Sequence, residues 1–403
     1  MAIKINGQDL KKRYINWQEI VRIYKNGGEI RPNTVPPTPA LWYLSFSPAT
    51  SAWCTVALEK SEDDPYAVYL EISYDWSTWN DYTIGNTISL SSGERVYMRN
   101  KSTEVTWFSL SLYQYYYFNI SWATNCSWDI NYLLCKNSTT TVSNYCFYRL
   151  FLGCTSLVTA PQLSATNLGE RCYHYMFHGC TSLVTAPQLP ATTLASECYA
   201  WMFDWCSSLT TAPSLSATTL ASECYKCMFR WCSSLTTAPS LPASNLTSFC
   251  YFWMFDWCSS LRATPSLQST SLATWCYNGM FNWCSSLTTI TSLPATNIPW
   301  WAYMDMFKNC TSLTTLPALP WHHFYGDGSY NSYYNRMFSW CTNIKISETQ
   351  TWEYQTPYRI PPSWGMTGNY LGNITWWMFD NTWGTFVWTP NREQTYYTSN
   401  TVI

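Results

Sequence analysis

Cysteine offers the most chemistry in this chain of 403 residues: eighteen are present, against four histidines and a thin scatter of carboxylates. Such thiols can form disulfides, ligate a metal, or simply be buried as small hydrophobes. Their spacing bears on all three. Across residues 146–341 the pattern Cys, aromatic, x, x, Met or Leu, Phe, x, x, Cys keeps returning, followed by Ser/Thr-Ser-Leu, and its nine positions are numbered 1 to 9 below. Position 9 falls at Cys154, Cys180, Cys206, Cys232, Cys258, Cys284 and Cys310, a period of 26, then at Cys341 after an insertion of five residues. Position 1 falls at Cys146, Cys172, Cys198, Cys224, Cys250 and Cys276. On a helix the two cysteines of one repeat would lie about 12 Å apart, beyond the roughly 7 Å that a disulfide spans. Cysteines of neighbouring repeats would be close enough but would point in parallel, so ladders of buried, reduced thiols are expected. A metal site would need further ligands: the sequence holds no two Cys-x-x-Cys units that could pair, Cys224 to Cys227 standing alone, and of His174, His178, His322 and His323 only the first two are four apart, within one repeat. No nucleophile with a nearby base, phosphate loop or metalloprotease signature appears, and the carboxylates are too scattered to define a glycosidase pair. The expectation is a chain that is not an enzyme and uses no metal or cofactor.

The elements that hold these residues follow from the period. One supersecondary unit stacked on copies of itself makes a solenoid, because a single unit cannot bury its apolar face alone. Positions 1, 2, 5, 6 and 9 are apolar, as in Cys198, Tyr199, Met202, Phe203 and Cys206, a spacing that predicts one face of a helix of two to three turns. The next residues, such as those from Ser208 to Leu215, are too β-branched to continue it and predict a short extended segment pairing with its neighbours about 4.8 Å away. Pro161, Pro187, Pro213, Pro239 and Pro265 should end that pairing. Residues 146–345 are therefore read as an α+β solenoid.

Charged residues make up 11% and the net charge is -2, which lacks the basic face a nucleic-acid binder needs. No apolar run is long enough to span a bilayer, so no membrane insertion is expected, and the first 30 residues lack the apolar stretch of a signal peptide. Residues 1–32 echo themselves, Ile5-Asn6-Gly7-Gln8 returning as Ile15-Asn16-Trp17-Gln18, and read as a small hairpin module with a basic balance. Residues 33–40 form a proline-rich linker, 41–120 predict a β-sandwich, 121–145 an N-terminal cap on the solenoid, and 346–403 a C-terminal cap.

The segments Phe151 to Leu157 and Phe177 to Leu183, both Phe-x-Gly-Cys-Thr-Ser-Leu, resemble the leucine-rich repeat of the BspA-like class found in surface and adhesion proteins. The Met-Ala-Ile-Lys-Ile-Asn-Gly opening with its proline linker is similar to openings of structural or tail proteins of phages infecting gut Bacteroidales. Those resemblances imply a leucine-rich-repeat solenoid that recognises a cell-surface glycan or protein receptor, with residues 1–32 joining a virion or tail partner, located on a virion or an extracellular surface. A homo-oligomer is compatible with both, as is a structural spacer or bacterial cell-surface repeat protein without its own ligand.

What varies between repeats is expected to carry the binding. Positions 3, 4, 7 and 8 should face solvent on such a helix. The candidates there are Tyr148, Arg149, His174, Tyr175, His178, Trp201, Asp204, Trp205, Lys226, Arg230, Trp231, Phe252, Trp253, Asp256, Trp257, Asn278, Asn282 and Trp283. Exposed rings among mixed polar groups compose a recognition surface; the alternative is that the rings pack against the preceding loop. Position 8 carries an anomaly. It is Gly153 and Gly179 in two repeats but Trp205, Trp231, Trp257, Trp283 and Trp340 in others, a pair of residues with almost nothing in common physically. Codons GGA and UGA differ by one base, so UGA read as tryptophan would produce this pattern; a genuine tryptophan ladder is the other reading.

Overall fold

Short runs bounded by Asn and Gly make the first element group. The computed structural model describes residues 43–317 with short gaps and 334–347. Outside these it describes, as backbone, strands within residues 1–30 and 345–399. Met1–Trp42 and Tyr43–Ile403 are two compact units. The first holds an antiparallel meander of β1 (Ile3–Ile5), β2 (Gln8–Ile15), β3 (Gln18–Lys25) and β4 (Gly28–Ile30) in that order. Its register pairs Ile5 with Gln8, Ile15 with Gln18 and Lys25 with Gly28, which leaves two residues between strands each time. The proline-rich stretch at 33–40 lies outside the described residues.

The second unit begins with β5 (Leu44–Pro48), β6 (Cys54–Lys60), β7 (Leu70–Ser73), β8 (Asn80–Tyr82), β9 (Ile88–Leu90), β10 (Val96–Asn100), β11 (Tyr116–Ser121) and β12 (Thr124–Ser127). Alternation drives the pairing: Tyr116, Phe118 and Ile120 of β11 turn inward while Asn119 is exposed. β12, β5, β10, β7 and β8 lie side by side in one sheet, and β11, β6 and β9 in another. Phe46 of the first meets Phe118 of the second with ring centroids 4.8 Å apart, so one apolar core serves both. The buried Arg99 is tolerated because Glu71 accepts from its Nε at 2.5 Å, Tyr43 Oη accepts from Nη1 at 2.7 Å, and the rings of Trp79 and Tyr43 cover it.

Residues 121–145 supply β12, one turn of 3-10 helix (Ile130–Leu133) capped by Asp129, and β13 (Thr141–Val142). β14 (Leu157–Thr159) then adds to the first sheet, parallel to β12, and β15 (Asn167–Leu168) pairs parallel with β13. Gly169 is required here, since a Cβ would sit 2.3 Å from the Ser143 carbonyl carbon. The sheet domain continues into the repeats without a break in the core: Phe118 N–H donates to Leu150 O at 2.7 Å, and Phe118 stacks on Phe151 at 5.0 Å. β11 thus acts as the rung on which the first repeat is laid.

Among the described residues the repeats contain no α-helix, which corrects the α+β reading, and the 3-10 turn is the one helical element. The motif forms instead a ribbon of overlapping turns. In the repeat beginning at Cys198, the odd positions donate three residues back: Ala200 to Glu197 O, Met202 to Tyr199 O, Asp204 to Trp201 O and Cys206 to Phe203 O. The even positions donate to the next rung: Tyr199 to Cys224 O, Trp201 to Lys226 O, Phe203 to Met228 O and Trp205 to Arg230 O. Every second amide therefore ties one repeat to its neighbour. A nine-residue helix would leave about four N–H groups at one end and about four C=O groups at the other unpartnered, with nothing linking the repeats; the ribbon satisfies both sets. Position 0, the residue before the motif, and positions 4 and 8 adopt left-handed backbone, as at Glu197 (φ 53°), Trp201 (59°) and Trp205 (63°). Their recurrence every four residues turns positions 1, 2, 5, 6 and 9 inward, which mimics helical periodicity in the sequence.

The inward columns are like stacked on like. Tyr173, Tyr199, Tyr225, Tyr251, Tyr277 and Tyr303 stack at 5.8–6.0 Å, and the Phe column from Phe177 to Phe307 at 5.5–5.7 Å. All eighteen cysteines are free and buried. Each position-9 thiol donates to the Phe carbonyl of the preceding rung, Cys206 to Phe177, Cys232 to Phe203 and Cys258 to Phe229, at 3.0–3.1 Å. Burial pushes the thiol pKa up along the whole ladder, to about 12 at Cys154, so the proton that makes this bond stays on. Apart from the β12–β14 and β13–β15 pairs, the extended segments meet in isolated parallel bridges, among them Thr159 to Thr185 to Thr211, Leu189 to Leu215, and Thr193 to Thr219 to Asn245 to Ser271. β16 (Lys345–Ser347), β17 (Tyr354–Arg359), β18 (Trp383–Gly384) and β19 (Thr395–Ser399) form a last sheet in the order β17-β19-β16-β18. The remainder of the expected C-terminal cap lies outside the described residues.

Two outcomes follow for stability. Cys232→Ala should lower the unfolding free energy by about 1–2 kcal/mol through lost burial and a small cavity, read as a lower urea midpoint at unchanged slope. Tyr199 is 1% exposed and its hydroxyl has no hydrogen-bond partner, so Tyr199→Phe should be neutral or stabilise by up to about 1 kcal/mol. A loss above that would show that the hydroxyl has a partner in solution.

Candidate binding surface

The ribbon places the candidate residues by column, and the columns differ in exposure. Position 3 turns inward in half of the rungs: Tyr148, His174 and Asn278 are buried, beside Ala200, while Lys226, Phe252, Met304 and Asn335 are half-buried. Position 7 is mixed, with Asp204 and Asp256 buried and His178, Arg230 and Asn282 half-buried. The expectation that all four columns face solvent is therefore wrong for Tyr148, His174, Asp204, Asp256 and Asn278. The reason is the left-handed residue at every fourth place, which tilts positions 3 and 7 toward the body of the rung where a helix would swing them out. Position 4 lines the surface with half-buried Arg149, Tyr175, Trp201 and Trp253, and position 8 is the outermost column, with Trp205 44% and Trp283 39% exposed and Trp231 and Trp257 half-buried between them.

Position 7 forms a polar ladder in which Arg230 stands between Asp204 and Asp256. His178 Nδ1 lies 3.1 Å from Asp204 Oδ2, Arg230 Nε donates to Asp204 Oδ1 at 3.3 Å, and Asn282 Nδ2 donates to Asp256 Oδ1 at 2.9 Å. Burial pushes the Asp256 carboxyl up to about 7, against the Asn282 hydrogen bond and the Arg230 charge, which pull it down. The guanidinium of Arg230 lies between two indoles, 4.7 Å from Trp201 and 6.0 Å from Trp253. Arg149 sits among the rings of Tyr115, Tyr148 and Tyr175, at 5.0–5.5 Å, and Lys226 lies over Phe252 at 5.7 Å. At position 8, Trp205, Trp231, Trp257 and Trp283 stack face to face at 4.2–4.7 Å. His174, buried and without a hydrogen-bond partner on either nitrogen, is held down to about 3 by burial and then by Arg171, Arg149 and Lys226.

Position 0 completes the surface and was missed from the sequence. Arg171 pairs with Glu197 and donates to Tyr145 Oη at 3.0 Å, Glu223 holds Lys226 at 2.8 Å, and Phe249 stacks on Trp275 at 5.7 Å. The signal was there: this column varies with the same period, one residue ahead of the first cysteine. Cys227 also falls outside both thiol ladders, at position 4, where burial raises its pKa. A recess of about 290 Å³ beside β13 and β15 is lined by Thr141, Val142, Ser143, Asn144, Asn167, Leu168 and Gly169, none of which could serve as a base for the two hydroxyls. Among the described residues no cluster of His, Cys, Asp and Glu is placed to hold a metal ion, and no helix is long and apolar enough to cross a membrane. His322 and His323 lie outside the described residues.

No family model, curated protein or solved structure matches this chain. The arrangement itself is that of a repeat protein, built on an N-terminal β-sheet domain, with periodic aromatic columns.

Asp256 supplies a pH test. Its folded pKa of about 7 stands above the unfolded value of 3.8, so its contribution to stability is full below about 4 and is lost as pH rises through about 7. Asp256→Asn keeps the oxygen that accepts from Asn282 and removes the buried charge. It should raise stability at pH 8 by roughly 1–3 kcal/mol, with the gain vanishing near pH 4, measured by chemical denaturation at both pH values.

Proposed function

We propose that this chain is a non-enzymatic adhesin or receptor-binding protein built on BspA-like leucine-rich repeats after a β-sandwich, a phage tail or virion-surface component. It would recognise a cell-surface glycan or protein through the changing columns of its ribbon. One observation carries the reading: positions 6 and 9 hold Phe and Cys in every rung and positions 1, 2 and 5 change only at the ends of the stack, whereas positions 3, 4 and 7 change type throughout while the backbone stays the same. A scaffold of that kind lets surface chemistry vary without refolding, and mixed rings and charges are what a recognition surface uses. On this reading the β1–β4 meander, basic in balance, joins a virion or tail partner.

A spacer without a ligand is the second reading, and a specific observation favours it: much of the ribbon is occupied with itself, Arg230 between two indoles and Asp204 between His178 and Arg230. Lys226 and Phe252 separate the two. Both are half-buried and neither supports the core, so Lys226→Ala with Phe252→Ala should leave the melting temperature nearly unchanged. For a receptor-binding protein the pair should weaken attachment of the full chain to cells or to a glycan array at least tenfold. Attachment equal to that of the unmodified chain would remove this surface from the binding role, and a full chain that binds neither cells nor glycans would favour the spacer.

A further inference from the structure

Position 8 is the column where backbone and side chain disagree. Its φ is 69° at Gly153, 74° at Gly179, 63° at Trp205, 62° at Trp231 and Trp257, 59° at Trp283, 61° at Asn309 and 63° at Trp340. Left-handed backbone strains any residue with a Cβ; glycine is free of that strain, and asparagine suffers it least of the rest. Two of the three residue types in the column are thus the ones this conformation selects, and the third is the bulkiest of all. Left-handed φ alone would not decide the matter, because positions 0 and 4 share it and hold Arg, Glu, Tyr, Phe, Cys and Asp as well as Trp201, Trp253, Trp275, Trp301 and Gly279. A column that tolerates side chains takes many kinds. Position 8 passes from no side chain to an indole with only asparagine between. Crowding does not explain its glycines either, since a Cβ on Gly153 would meet nothing within 4 Å, so the backbone angle is what glycine serves there.

The meander repeats the exchange independently. Three registers each leave a two-residue connection, filled by Asn6-Gly7, Asn26-Gly27 and Asn16-Trp17. Asn-Gly is the strongest signal for a connection of that length, because its favoured turn needs positive φ at both places.

We infer that the native molecule carries glycine at positions 17, 205, 231, 257, 283 and 340, through UGA codons that its own translation machinery decodes as glycine. The step required is small: a glycine tRNA that reads GGA reads UGA after one change in its anticodon. The native surface then lacks the exposed indole column of position 8, while the polar columns on which the proposed recognition rests are untouched.

Recombinant protein decides this in two arms. The full chain as written is compared with one carrying Trp205→Gly, Trp231→Gly, Trp257→Gly, Trp283→Gly and Trp340→Gly, and with the same five changed to Ala. The glycine set should melt several degrees above the chain as written and above the alanine set, which loses the rings but keeps the strained Cβ. A glycine set that melts at or below the tryptophan chain would overturn the inference, as the indole stack would then be holding the fold. Peptide masses from protein isolated from its natural source give the second arm: glycine at these sites is expected, and tryptophan would overturn it.

Discussion

Alternation of amide direction along the motif is the constraint from which the rest of the molecule follows. Because every second N–H must find a carbonyl one rung away, successive repeats have to present the same nine residues at the same height, and the 26-residue period keeps them there. The longer repeat before Cys341 shows that the register of the ribbon, and not chain length as such, is what is held. Phe307 still donates to Met337 O and Asn309 to Ser339 O, both at 2.9 Å, and the Cys341 thiol reaches Phe307 O at 3.0 Å. The same constraint explains the start of the stack, where β11 offers an edge to which the first ribbon bonds, so that sheet and repeats share one core.

Stacking at a fixed height makes each column a problem in neighbour compatibility. Inward, that favours one residue type repeated: tyrosine and phenylalanine rings lie nearly parallel, and cysteine fits because it is small, apolar and able to donate its S–H to a carbonyl that already accepts a turn bond. Outward, repetition of a charge would be costly. Two like charges about 5 Å apart repel by about 3 kcal/mol at an effective dielectric near 20. Position 7 avoids this by running His178, Asp204, Arg230, Asp256, Asn282 along the stack. The variety of the ribbon is thus partly an electrostatic requirement of stacking, and this is why exposure and free bonding capacity matter more than variability alone in judging a binding surface.

The period, the thiol ladders, the meander and the inward residues were legible in the sequence, because burial leaves the same residue types at fixed spacing. The local backbone was not. Cys198, Tyr199, Met202, Phe203 and Cys206 sit on one side of a helix and on one side of a ribbon whose left-handed residues recur every four places, and periodicity cannot tell the two apart. Glu197, Trp201 and Trp205 give no local hint of left-handed backbone; the glycines at 153 and 179 did, in the very column that looked anomalous. Misreading the backbone also misplaced the surface, since Asp204 and Tyr148 point outward on a helix and inward on the ribbon, while position 0 went unnoticed.

Amide-I infrared spectroscopy of the folded chain tests the ribbon most directly, because it reads backbone geometry with little interference from the many rings. A ribbon of turns with inter-rung bonds predicts absorption dominated by sheet and turn bands, with no helical component lost on thermal unfolding. A helical band in proportion to eight repeats of two to three turns each would contradict it.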